Sequence, residues 1–290
     1  MAKLFLKSLT VGASRRWCDG LRNGLAAVGA VWALTEMTTA ALPSAKLYLE
    51  AHGGDYLAMM ALLFACVFIG YILEPTHVTF KVPTTDTKIT LKYGDLFTED
   101  ANLLIGVNEF FDGELGPPVS PTSLHGQLIA RNYGSNAAAF RAAVDPALAA
   151  TGVQPVAARI AQPIDAYPIG TTPVVANGAR SVFLMAMAHT NHATYKAYSD
   201  PAKLWSALQG GLTAVHTRGG GAPLALPLFG NGQAGINLTP QHLLRLLTLA
   251  LVDFGRNSNT PLPKQVTIVL HDRCFEELDL REIARDWKKQ

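Results

Sequence analysis

The chain has 290 residues, enough for one or two domains with a sizeable core. Only 16% are charged and the formal net charge is +2, a balance that argues against a nucleic-acid binder. Cys18, Cys66 and Cys274 lie far apart in different segments, with no metal spacing or disulfide framework, which fits a reducing compartment.

Residues 1–23 are basic, with Lys3, Lys7, Arg15, Arg16 and Arg22 set against the single acid Asp19. Two apolar runs follow. The second, Tyr56 to Leu73, carries no charge and reaches the roughly 18 residues at which a transmembrane helix is the expected reading. Tyr56 and Tyr71 near its ends suit the membrane interface. The first, Gly24 to Leu42, is interrupted by Glu36. A signal peptide competes for this stretch, but the basic region is long and a second span follows closely. The expectation is a transmembrane hairpin over 24–73. The basic N-terminus is then cytoplasmic, the loop 43–55 faces outward, and the remainder returns to the cytoplasm. Ala26, Gly29, Ala33, Glu36 and Ala40 share one helix face. Such a seam of small residues permits close self-association, with Glu36 either in the contact or snorkelling to an interface.

Residues 74–87, holding Pro75, Pro83 and several threonines, read as a linker. Strands and helices then alternate. Strands are expected at Lys88–Tyr93, Ala101–Val107, Val174–Val175, Ser181–Met187, Pro223–Phe229 and Gln265–Leu270. Helices are expected from near Ser123, over 136–150, from Asp200 to Thr217, from Thr239-Pro240 to Gly255 and from Leu278 to Lys289. This alternation predicts an α/β fold with a mixed or parallel sheet and helices on both faces.

Glycine loops carry the chemistry. Phe229-Gly230-Asn231-Gly232-Gln233-Ala234-Gly235 follows a strand and precedes a helix, where freed backbone N–H groups can cradle phosphate. Its GxGxxG spelling fails as a dinucleotide fingerprint, because Asp253, at the required distance, lies inside a helix rather than at a strand end. A second loop, Gly116 to Gly126, feeds the helix that starts with Ser123-Leu124-His125-Gly126. Asp95-Leu96 and Asn108 close the first two strands, so a carboxylate, a carboxamide and two loops gather at carboxyl ends.

This order of pieces resembles the macrodomain family, a three-layer α/β/α fold that binds ADP-ribose, over residues 88 to about 280. The resemblance implies that Asp95 meets adenine, that Asn108 meets the distal ribose, and that 123–126 and 230–235 hold the phosphates. The family's triple-glycine first loop is replaced here by Ser123-Leu124-His125-Gly126, and its Asn-Ala-Ala-Asn motif by Val107-Asn108-Glu109-Phe110. These departures point away from ADP-ribosyl hydrolysis and towards divergent macrodomains joined to two transmembrane helices, which look like effectors of Thoeris anti-phage systems. In those systems a TIR-domain enzyme makes a nucleotide signal, here histidine-conjugated ADP-ribose. The effector binds it without catalysis, oligomerises and disrupts the bilayer of the cell inner membrane. No cofactor or metal is expected. A membrane-tethered hydrolase and a passive ADP-ribose reader are the alternatives.

Two further clusters remain open. His189 and His192 follow a strand and fall at the distal end of the cleft, without a third ligand for a metal. His271-Asp272-Arg273 follows the closing strand. Ser123 and His125, two residues apart, do not make a nucleophile pair.

Overall fold

The structure, a computed structural model, describes residues 2–158, 165–191, 193–232, 235–257 and 261–288. The chain divides into two units, Met1–Thr76 and His77–Gln290.

The first unit is helical. Helix α1 (Ala2–Ala41) breaks its regular dihedrals at Arg16 (φ −131°, ψ 18°). Helices α2 (Pro43–Ala51) and α3 (Gly53–Ile72) follow. Helices α1 and α3 pack antiparallel through glycines. A Cβ at Gly12 would fall on the Ile72 carbonyl, one at Gly20 on Ile72 and Phe68, and one at Gly24 on Phe64. The absent side chains are what allow the backbones this approach. Trp17 meets Phe68 edge-on at 4.9 Å, and Tyr56 donates a hydrogen bond to the Thr35 hydroxyl at 3.1 Å. Below the kink, Ser8 Oγ donates to the Glu74 carbonyl at 2.6 Å and Arg16 pairs with the Glu74 carboxylate at 2.9 Å.

Two expectations change here. Residues 43–55, expected as a loop, are largely helical: Pro43 occupies the first helical turn, where its missing N–H costs nothing, and Ala45 to Glu50 are good helix formers. Among the described residues one helix, α3, is long and apolar enough to cross a membrane, by length and composition. The expected first span, 24–42, does not stand out as a second. It is the distal part of a 40-residue helix, and Glu36 with Thr35, Thr38 and Thr39 lowers its apolarity. The expected two-span hairpin is therefore not a clear one. The seam Ala26, Gly29, Ala33, Glu36 and Ala40 is exposed, on the side of α1 away from α3.

The second unit is a three-layer α/β/α sandwich. Its strands are β1 (His77–Lys81), β2 (Lys88–Tyr93), β3 (Asn102–Asn108), β4 (Ala157–Ala158), β5 (Asp165–Ala166), β6 (Val174–Asn177), β7 (Arg180–Thr190), β8 (Ala197–Tyr198), β9 (Leu224–Pro227) and β10 (Gln265–Leu270). Its helices are α4 (Leu124–Tyr133), α5 (Ala137–Ala149), α6 (Pro201–Arg218), α7 (Pro240–Asn257) and α8 (Leu280–Lys288). The main sheet runs β1-β2-β10-β9-β3-β7-β6, with β8 on the far end of β7. From β2 to β7 the five neighbours are parallel, and β1 and β6 close the edges antiparallel. β4 and β5 form a separate antiparallel pair.

Alternation along the strands builds both core layers. In β3, Leu103, Ile105 and Val107 face α4 and α5, joining Leu128, Ile129, Phe140 and Val144. Leu104 faces the opposite layer with Phe183 and Met185, under Leu208, Leu244 and Ile283 of α6, α7 and α8. The expected linker over 74–87 instead contains β1. His77-Val-Thr-Phe-Lys81 alternates, and Phe80 is driven under the sheet edge by its own apolarity, where it stacks near Trp287.

Candidate functional site

Five parallel strands end on one edge of the sheet. In spatial order their exits are Asp95 after β2, His271 after β10, the Leu228–Gly235 loop after β9, Asn108 with the loop to Gly126 after β3, and His189 at the end of β7. Neighbouring β9 and β3 lead in opposite directions. The chain leaves β9 through α7 to β10 on one side, and leaves β3 through α4 and α5 towards β7 on the other. Their helices lie on opposite faces, so the topology reverses between the two loops, the position at which open α/β sheets form their ligand crevice. Its floor is packed tightly. A Cβ at Gly106 would fall 2.1 Å from Met187 Sδ and 3.3 Å from the ring of buried Phe229.

On the β3 side most groups are engaged within the protein. Asn108 donates from Nδ2 to Asp112 at 2.7 Å and accepts the Asp112 N–H at 3.2 Å, which pins the turn. Arg141 of α5 donates to the carbonyls of Phe110 and Phe111, holding buried Phe111 at φ +52°. Glu109, buried, accepts the Thr190 N–H at 2.8 Å and has His189 Nδ1 at 3.8 Å, tying the end of β7 to that of β3. Ser123 is the N-cap of α4: its hydroxyl accepts the Gly126 N–H at 3.0 Å and donates to the Ser120 carbonyl at 2.7 Å. No hydrogen bond joins it to His125, which is buried against Phe140 with Nε2 unpartnered. Burial holds the His125 imidazole pKa down at about 3, so it is neutral at physiological pH. Leu124 opens the helix beside them. Gly126 touches the loop itself, since a Cβ there would lie 2.2 Å from the Ser120 oxygen.

On the β9 side, Gly230 turns with φ +84° and Gly235 with φ +59°, conformations glycine adopts without strain. Asn231 donates to Cys274 Sγ at 2.9 Å, while Gly232 is exposed with open space around its Cα. Burial first, then the Glu277 charge, raises the Cys274 thiol pKa. Gln233 and Ala234 lie outside the described residues, as does His192.

At the β2 end, Asp95 is exposed and caps the short 3₁₀ turn Leu96–Thr98 by accepting the Phe97 N–H, with Leu96 buried below. Its other carboxylate oxygen is paired with Arg131 of α4 at 3.0 Å. His271 also serves as a cap, its Nδ1 accepting the Arg273 N–H at 3.1 Å. Arg131, Asp112 and Arg141 were not evident in the sequence; each lies in a loop or on a helix face and reaches its partner only through the fold. Among the described residues no three His, Cys, Asp or Glu side chains are grouped to hold a metal. An open cleft of about 640 Å³ lined by Thr79–Asp86 and Trp287 sits at the opposite end of the sheet, by the β1–β2 turn, and none of these residues lines it.

A three-layer mixed α/β protein with a crevice and two glycine loops at the carboxyl edge is the class that this fold and site define. The family model described as Thoeris protein ThsA, Macro domain, matches residues 89–271, and the chain belongs to that family. No curated protein matches it. Among solved structures, the Oceanobacillus iheyensis macrodomain with ADP is 11% identical, covers 74% of this chain and 98% of its own, and aligns with a TM-score of 0.48. The Trypanosoma brucei macrodomain in complex with ADP-ribose is 13% identical, covers 67% of this chain and 68% of its own, and has a TM-score of 0.44.

Proposed function

We propose that this macrodomain protein is a membrane-anchored sensor and effector that binds an ADP-ribose-derived nucleotide at the carboxyl edge of its sheet. The observation that carries the reading is the reversal of topology between β9 and β3, flanked by two loops that lead into helix N-termini and by an aspartate two strands away. The ligand is histidine-conjugated ADP-ribose made by a TIR-domain partner enzyme in anti-phage defence. Binding draws copies together into a homo-oligomer, and their helices disrupt the membrane. For this the ligand need only bind the assembled state better than the free one.

Absence of catalysis is supported by the state of the polar groups. The Ser123 hydroxyl and the Asn108 amide are engaged in holding their own loops, and His125 is buried and neutral. Anchoring is supported by α3 and by the apolar side chains that the helical unit leaves exposed, Leu25, Trp32, Leu34, Leu57 and Leu62 among them. The chain would sit as a multi-pass protein of the cell inner membrane, with its N-terminus and the α/β unit on the cytoplasmic side. The exposed seam around Gly29 and Glu36 is the surface available for association.

The test is calorimetry on the whole chain in lipid nanodiscs, with ADP-ribose and its histidine conjugate as ligands. Binding of the conjugate without turnover, weakened by Asp95→Ala and Gly232→Glu, is the expected result. Release of free ADP-ribose from the conjugate would replace the sensor with a membrane-tethered hydrolase. No binding of either compound would sink the nucleotide reading.

A further inference from the structure

Asp95 does not face solvent alone. Its Oδ1 accepts the Phe97 N–H at 3.0 Å, and its Oδ2 takes both terminal nitrogens of Arg131, each at 3.0 Å. Arg131 comes from the last turn of α4, and its guanidinium carbon lies 4.4 Å above the centroid of the Phe97 ring. One guanidinium nitrogen also reaches Gln127 Oε1 at 3.5 Å. The cation is thus held from one face by a ring and along one edge by a carboxylate. Its side chain stays 45% exposed. A guanidinium is planar, delocalised and weakly hydrated, and stacks on flat π-systems, which an ammonium cannot do. Nucleic-acid bases stack on aromatic rings and on guanidinium planes alike.

The geometry points to Arg131 as a base-binding residue whose solvent face is the platform for the purine of the nucleotide, with Phe97, guanidinium and base forming three stacked layers. This rests on the nucleotide reading of the site and adds to it the chemistry at the base end. It also divides the labour of Asp95. A carboxylate oxygen offers two acceptor positions. Both on Oδ2 are filled by Arg131, so that oxygen fixes the platform. One on Oδ1 remains for the amino group of the base. An exposed ion pair with no ligand would by contrast contribute little to stability.

The experiment measures ADP and UDP binding to the whole chain in nanodiscs, comparing wild type, Arg131→Ala and Arg131→Lys. Lysine keeps the charge and can still pair with Asp95, but has no flat face. Both variants should lose about tenfold in affinity for ADP and less for UDP, whose smaller ring stacks over less area. Their melting temperatures should stay close to wild type. Recovery of ADP affinity in Arg131→Lys would overturn the inference, because charge alone would then suffice. Equal losses for ADP and UDP would overturn it too, since they would place the guanidinium on the diphosphate. Unchanged binding in Arg131→Ala would have the same consequence. Failure of wild type to bind ADP or ADP-ribose would instead strike the nucleotide reading itself.

Discussion

The two loops that flank the crevice are built in opposite ways. In the loop after β3, Ser123, Asn108 and Gly126 all make short contacts inside the protein, and His125 lies buried beneath them. In the loop after β9, Gly230 packs against Ile236 and Leu243 and Asn231 is tethered to Cys274, but beyond them the tip is open: a side chain added at Gly232 would meet nothing within 4 Å, and the Gly232 carbonyl accepts the Gly235 N–H of its own turn at 3.3 Å. A preformed wall thus faces an open arm. The wall sets the geometry of the crevice before a ligand arrives, and the arm has room to bring backbone N–H groups onto an anion.

The strongest way to break this contrast is Gly126→Ala. The new methyl would press on the Ser120 carbonyl, and forced overlaps of this kind typically cost about 1–3 kcal/mol. The expected outcome is a melting temperature lower by several degrees together with weaker nucleotide binding.

His125 gives the wall a pH signature. Unfolded, the imidazole takes up a proton below its ordinary 6.5; folded, it stays neutral down to about 3. The unfolded chain therefore binds more protons in that window, and stability declines as pH falls from 6.5 towards 3. His125→Leu should flatten the decline in a series of melting curves, and an unchanged slope would count against the burial argument.

Ser123→Ala removes the cap of α4 and should cost about 1 kcal/mol, read as a shift in denaturation midpoint. The smallest stability effect belongs to the arm. Gly232→Ala should fold within about 0.5 kcal/mol of wild type. Gly232→Glu should melt similarly, yet bind the nucleotide at least about tenfold more weakly, as its carboxylate repels the phosphates. A large stability loss at Gly232 would erase the distinction between the loops.

Much of this was legible in the sequence, for local reasons. Asp200 ahead of Pro201 marks α6, and Ser123 three residues before Gly126 marks α4, because caps act within one turn. The run Ala101–Val107, apolar but for Asn102, marks a strand buried on both faces, because parallel strands lack a solvent side. What escaped depends on partners distant in the chain. β1 is five residues long between prolines, and its apolar Phe80 makes sense only under Trp287. The glycines at 12, 20 and 24 announce a close helix contact only once α3 is known to lie there. At the site, Asp95 could be placed at a strand end by pattern alone. Its partner Arg131 is 36 residues further on, and periodicity holds no trace of that pairing.

The Arg16–Glu74 pair in the helical unit has a consequence for handling the protein. Its side chains are only 11% and 4% exposed, whereas those of Lys81 and Asp86 are 60% and 86% exposed. Dissolved ions screen charges they can approach, and buried pairs much less. Concentrated salt should therefore loosen the surface pair and leave α1 fastened at Glu74, so that the two long helices of this unit stay together as a single body at ionic strengths that open the pair on the strand edge.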